Sequence, residues 1–258
     1  MQKQKICKYI VNWLAEYVDN ASLDGFIVGV SGGIDSALTA SLCALTGKKV
    51  ILLNIPIRQR AAEFKRSQLQ IDKLSKDYEN VNGMEIDLGG VFKQLEQTLP
   101  EKTVKDNLAM ANSRSRLRML TLYAIGQSNK LLVAGTGNKV EDFGVGFFTK
   151  YGDGGVDLSP IADLMKSEVY ELAEHLDVIP EILNAKPTDG LWDDDRSDED
   201  QIGATYDELE WAMVFEGDEN ELTEREKKVL EIYNGFHRAN KHKMEPIPVC
   251  RIPQAFFN

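Results

Sequence analysis

The chain has 258 residues, enough for one α/β domain with a large core, and its 43% hydrophobic and 28% charged residues are those of an ordinary globular protein. A formal net charge of −11 argues against broad nucleic-acid binding, because a polyanion could meet cations only in a local pocket. Cys7, Cys43 and Cys250 are too few and too far apart for a disulfide framework or a Cys-x-x-Cys zinc site, no stretch reads as a membrane span or signal peptide, and a soluble cytoplasmic protein is expected.

Ile6, Tyr9, Ile10, Trp13, Leu14 and Tyr17 recur at helical spacing and predict an amphipathic first helix. The apolar run at residues 26–30 predicts a first strand, 37–45 a helix and 50–57 a second, buried strand, which together make one βαβ unit. A helix over 63–74, a strand over 84–88, a helix over 108–125 and a strand over 131–134 continue the alternation. The expected fold is therefore α/β, a doubly wound parallel sheet of about five strands flanked by helices, with residues 1–258 as a single domain. In such sheets ligands bind beyond the carboxyl ends of the strands, so the turns after the strands are where chemistry is sought.

The first of these turns reads Gly29, Val30, Ser31, Gly32, Gly33, Ile34, Asp35 and Ser36. Adjacent glycines leave main-chain N–H groups uncovered, two serines add hydroxyl donors, and the following helix aims its partially positive end at the same point. That is the layout of a phosphate-binding site, and a carboxylate such as Asp35 there can hold magnesium shared with phosphates. No lysine lies within the loop, so it is not a Walker A motif. After the fourth strand, residues 135–141 partly mimic a dinucleotide fingerprint, but Val140 stands where the last glycine belongs. Residues 144–157 then form a loop too glycine-rich for a helix and too aromatic for a plain linker, the kind that wraps a ligand.

Further on, 166–176 predicts a helix and 186–189 a turn. Residues 193–200 hold six acids around Arg196 and Ser197 and read as a solvated, mobile acidic loop. Helices are expected over 206–215 and 223–236, followed by a small basic island at Lys241, His242 and Lys243.

The hexamer Ser31 to Ser36 resembles the signature of the ATP pyrophosphatases, which have the adenine nucleotide alpha hydrolase-like fold. Taken with the stretches 112–119, 146–155, 186–188, 197–200 and 206–208, with Gly135, Thr136 and Glu141, and with His242 and Lys243, the sequence is similar to the ammonia-dependent NAD synthetases. The segment Gly146 to Gly155 is the most specific of these, since neither a sheet nor a phosphate loop demands it. The resemblance runs from about residue 26 to 243. Two departures stand out: the interval from Glu141 to Lys150 is one residue longer than the family pattern, and Asp189-Gly190 follows Thr188 where Ala-Asp is usual.

The resemblance implies ATP-dependent amidation of deamido-NAD with ammonia, through an adenylated intermediate, giving NAD, AMP and pyrophosphate. It implies that residues 29–36, Thr136, Lys166 and Thr188 bind ATP and that Asp35 and Glu141 hold Mg2+. It implies that Lys166 neutralises charge on the phosphates, and that Arg116, Lys150, Asp157, His242 and Lys243 contact deamido-NAD. It also implies a homodimer. The recognisable synthetase fills the chain and leaves no room for an amidase, so free ammonia is the expected nitrogen donor. Taken singly, Lys166 or His242 would read as a solvated surface residue. The competing readings are another ATP pyrophosphatase of the GMP synthetase type and a non-catalytic adenine-nucleotide sensor on the same scaffold.

Overall fold

The computed structural model describes residues 1–186 and 197–257. Helix α1 (Lys3–Ala21) buries Cys7, Ile10, Leu14 and Val18 along one face, and Ser22 closes it in the left-handed conformation with φ 55°. Strand β1 (Gly25–Gly29) follows, then α2 (Ile34–Ala44) and β2 (Lys49–Asn54). Helix α3 (Ala61–Asp77), β3 (Val81–Glu85), α4 (Gly89–Thr98), the short α5 (Glu101–Val104), the long α6 (Asn107–Ser128) and β4 (Leu131–Val133) complete the first half.

Among the described residues the sheet has four strands in the order β3-β2-β1-β4, all parallel, one fewer than expected. A single parallel bridge from Leu158 to Ala134 marks where the fifth would lie. Strand β1 is central. Its Phe26, Ile27 and Val28 have no exposed surface, and burying each side chain is worth roughly 1.5–3 kcal/mol. Helices cover both faces, as the doubly wound reading requires. Phe26, Val28, Val50 and Leu52 pack with α1, α2 and α3 on one side, whereas Ile27, Ile51 and Leu53 pack against Phe92 of α4 and Met110 of α6 on the other. Helix α2 lies inside the first layer and is buried on nearly every side.

Two expectations shift. The third strand begins three residues earlier than 84–88, because its register is set by pairing of Val50 with Val81 through Asn54 with Glu85, and an edge strand with one open side need not be apolar. Helix α4, which sequence reading passed over because it opens on Gly89-Gly90, is held by the fully buried Phe92.

Beyond β4 the chain makes a π-helical stretch, Lys139–Val145, then α7 (Lys166–His175) and α8 (Pro180–Leu183). Helices α9 (Asp198–Ile202), α10 (Tyr206–Val214) and α11 (Glu224–Met244) follow. Val140, Val145, Ile202, Leu209, Ala212 and Val229 form a smaller third core among them. The acidic stretch expected to be a mobile loop is in part a helix start: Ser197 caps α9 through the Asp200 N–H, while 193–196 lie outside the described residues. Helix α11 runs past 236, which makes the basic island at 241–243 helical.

Candidate active site

Strands β1, β2 and β3 step to one side, and the chain then returns to place β4 on the other side of β1. The switch point is therefore between β1 and β4, where the turns 30–36 and 134–141 meet. Val30 donates from its N–H to the Leu53 carbonyl and anchors the start of the first turn. Gly32 has φ +89°, and a Cβ there would come within 2.4 Å of the Glu63 carbonyl oxygen, so both backbone angle and space require glycine. The Ser31 N–H donates to Ser36 Oγ at 3.1 Å, the Gly33 N–H to Ser31 Oγ at 3.2 Å, and Ser36 Oγ to the Gly33 carbonyl at 3.0 Å. Both hydroxyls thus close the loop on itself.

The loop is braced from α3 and the segment before it. Gln59 Nε2 donates to the Ser31 carbonyl at 2.9 Å and Arg66 Nε to the Gly32 carbonyl at 3.0 Å. Holding these carbonyls fixes the peptide planes whose N–H groups line the loop. Sequence reading missed both residues, because they follow a different strand and carry no motif.

Asp35 lies in the first turn of α2. Lys166, at the start of α7 and only 3% exposed, places its Nζ 2.6 Å from Asp35 Oδ2 and 2.9 Å from Glu141 Oε1. Asn138 ties the two turns together, donating from Nδ2 to Asp35 Oδ1 and accepting the Glu141 N–H on Oδ1. Tyr206 Oη donates to Glu141 Oε1 at 2.5 Å. Burial alone would lower the Lys166 pKa, but Asp35 and Glu141 hold it above its ordinary value. Burial raises the Asp35 carboxyl despite Lys166, while for Glu141 the attraction of Lys166 and the Tyr206 hydrogen bond outweigh burial and bring it down. Asp142, next in the chain, is raised well above the usual carboxylate range by burial and by Glu141, Asp153 and Asp35.

Two carboxylate oxygens within reach of one ammonium form a ready cation position. Magnesium commonly takes one or two protein carboxylates and fills its octahedron with phosphate oxygens and water, so Asp35 and Glu141 fit it. Thr136 follows β4 on the same edge of the sheet, where Thr39 Oγ1 of α2 donates to the neighbouring Gly135 carbonyl. Thr188 lies outside the described residues.

The residues expected to bind the second nucleotide form a separate cluster. Arg116 of α6 donates to the Lys150 carbonyl, Lys150 Nζ to the His242 carbonyl at 2.5 Å, and Lys243 Nζ to the Gly146 and Phe148 carbonyls. The loop 146–155 is pinned to α6: Thr149 Oγ1 donates to Asn112 Oδ1 at 2.7 Å, and Ser115 Oγ to Asp153 Oδ1 at 2.7 Å. A Cβ on Gly152 would come 2.3 Å from Ser115 Oγ, which accounts for that glycine. Asp157 stands apart from the cluster, accepting from Tyr123 Oη and from the Val133 N–H of β4. The sequence motif contained Asn112, Ser115, Asp153 and Tyr206 but offered no signal for their individual contacts.

A parallel sheet with a glycine-serine loop at the carboxyl end of its central strand, and two carboxylates sharing one lysine beside it, defines an α/β nucleotide-binding protein. The profile of NAD synthase matches residues 6–247, and the chain belongs to that family. It is 33% identical over 245 residues to the NH(3)-dependent NAD(+) synthetase of Mesoplasma florum, covering 94% of this chain and 95% of that one. Among solved structures, the NMN synthetase of Francisella tularensis superposes with a TM-score of 0.85 at 31% identity, covering 98% of this chain and 99% of that one. The NH3-dependent NAD synthetase of Campylobacter jejuni gives a TM-score of 0.78 at 24% identity over 97% and 100%, a likeness of fold.

Proposed function

We propose that the chain is a ligase that amidates deamido-NAD with ammonia at the expense of ATP, yielding NAD, AMP and pyrophosphate through an adenylated carboxylate. The observation that carries this reading within the family is the Asp35-Lys166-Glu141 arrangement at the mouth of the phosphate loop. A carboxylate acylates poorly because its leaving group is an oxide, whereas its adenylate expels AMP. The enzyme's main task is thus to bring two anions together and screen their repulsion, which calls for cations and no protein nucleophile. The loop 29–36 holds the triphosphate with its N–H groups, aided by Thr136 and Thr188. Lys166, released from the carboxylates, turns its ammonium to the phosphates and stabilises charge on the departing pyrophosphate. Asp35 and Glu141 hold Mg2+, which when bound neutralises the phosphate oxygens. Arg116, Lys150, His242 and Lys243 take the phosphates and carboxylate of the dinucleotide, and Asp157, which stands outside that cluster beside Tyr123, contacts another part of the same ligand.

We place the enzyme in the cytoplasm as a homodimer. No helix among the described residues is long and apolar enough to cross a membrane, and Leu108 and Leu120 of α6 are each 60% exposed and available for contact with a second copy. Light scattering giving a monomer mass would remove the dimer.

The similarity to the NMN synthetase favours a second reading, the same chemistry on a mononucleotide carboxylate. One assay separates the two: pyrophosphate release with ATP, magnesium and ammonium, with deamido-NAD or with the acid form of NMN. Release that requires deamido-NAD and equals the NAD formed supports the first reading. Release with the mononucleotide alone overturns it.

A further inference from the structure

Tyr206 begins α10, is 7% exposed, and faces two carboxylates with one proton to give. Its Oη lies 2.5 Å from Glu141 Oε1 and 3.3 Å from Asp198 Oδ2, so the hydrogen bond goes to Glu141. Its ring lies under the Lys166 ammonium, 4.9 Å from Nζ to the centroid. Its N–H donates to Glu199 Oε1 at 2.9 Å, which ties the same residue to the first turn of α9. The hydroxyl thus stands between the proposed cation position and the helix that starts at Asp198.

We infer that Tyr206 is a positioning residue whose hydroxyl proton is shared out between Glu141 and Asp198 according to whether a divalent cation is on Glu141. Glu141 Oε1 here accepts from both Lys166 and Tyr206. A cation drawing on that oxygen weakens it as an acceptor. The proton then turns to Asp198, a buried carboxylate that gains a charge-assisted hydrogen bond. No bond to hydrogen is broken; the hydroxyl rotates about its C–O bond. Occupation of the carboxylate pair is thereby felt as tightening of α9 against α10. The inference rests on the assignment of Asp35 and Glu141 to magnesium.

The test uses the full chain, manganese as a paramagnetic probe of the cation position, and a non-hydrolysable ATP analogue. Tyr206→Phe keeps the ring under Lys166 and deletes only the proton. In the wild type, manganese with the analogue should slow amide hydrogen exchange across 198–206 by several-fold. In Tyr206→Phe the electron paramagnetic resonance titration should still show manganese bound, with the slowing lost. Asp198→Asn, a second variant that weakens the acceptor without changing its size, should show the same loss in part. Retention of the full exchange response in Tyr206→Phe overturns the inference. A wild type that binds the analogue but no manganese overturns the magnesium assignment itself, and the two failures are told apart because the second appears without any substitution.

Discussion

Lys166 and Asp35 are 131 residues apart in the chain, and the ammonium of one lies 2.6 Å from the carboxylate of the other. Together with Glu141 they make a buried group with more negative than positive charge, in which the lysine occupies the position proposed for a cation. Removing one member of such a group costs more than forming it gains, because the remaining charges stay buried.

Lys166→Met should therefore lower stability by about 3–5 kcal/mol and reduce pyrophosphate release by about 10²–10³-fold. Urea unfolding with and without magnesium and an ATP analogue tests the cause. A divalent cation can take the place of the lysine, so the loss of stability should be partly restored when both are added; no restoration would count against a cation position at Asp35 and Glu141.

Gly32→Ala combines an unfavourable φ of +89° with a contact of 2.4 Å to the Glu63 carbonyl. Strain of this kind costs of order 1–3 kcal/mol. The variant should melt lower, and because the clash displaces the loop itself, its affinity for ATP should fall as well. Thermal unfolding and calorimetric titration measure the two effects.

Arg66→Ala frees the Gly32 carbonyl and leaves the third helix otherwise intact. A hydrogen bond to a charged group is worth about 1.5–3 kcal/mol, so KM for ATP should rise by about tenfold or more. The second substrate's KM should barely move. Equal increases in both would show that Arg66 acts on the whole fold and not on the loop.

Glu208 caps α10 at the Thr205 N–H and pairs through both oxygens with Arg225. The hydrogen bond from Arg225, then that from Thr205, brings its carboxyl from 4.5 down to about 2. A pKa lowered by folding contributes stability above the unfolded value and loses it as pH falls through the folded one. Glu208→Gln should therefore be less stable than wild type by about 1 kcal/mol near neutrality, a value set by an exposed ion pair and a cap. The gap should close between about pH 4.5 and pH 2. Urea unfolding across that range would show it, and a gap independent of pH would refute the charge argument.

Much of this protein is legible from its chain. The helical spacing of Ile6, Tyr9, Ile10, Trp13, Leu14 and Tyr17 announces the first helix, although the stripe it buries is Cys7, Ile10, Leu14 and Val18, and Tyr9, Trp13 and Tyr17 stay exposed; the apolar run at residues 26–30 announces the first strand. Gly32, Gly33 and the two serines announce a phosphate loop because few other residues leave the backbone that bare. These are local properties: each depends on neighbours within a few residues, where dihedral preference and burial pattern act together.

The remainder waited for the tertiary structure. The edge strand β3 takes its bounds from hydrogen bonds to β2 and not from its own polar sequence. Arg66 and Gln59 reach the phosphate loop only because β1 and β2 are neighbours. Lys166 reads as a solvated helix residue until α7 sets it against Asp35, and Asp157, expected with the nucleotide cluster, is drawn to Tyr123 and β4. The reason is physical. Whether a charge is solvated or paired depends on what lies within a few ångströms of it, and in this chain those partners are brought together from segments tens to more than a hundred residues apart.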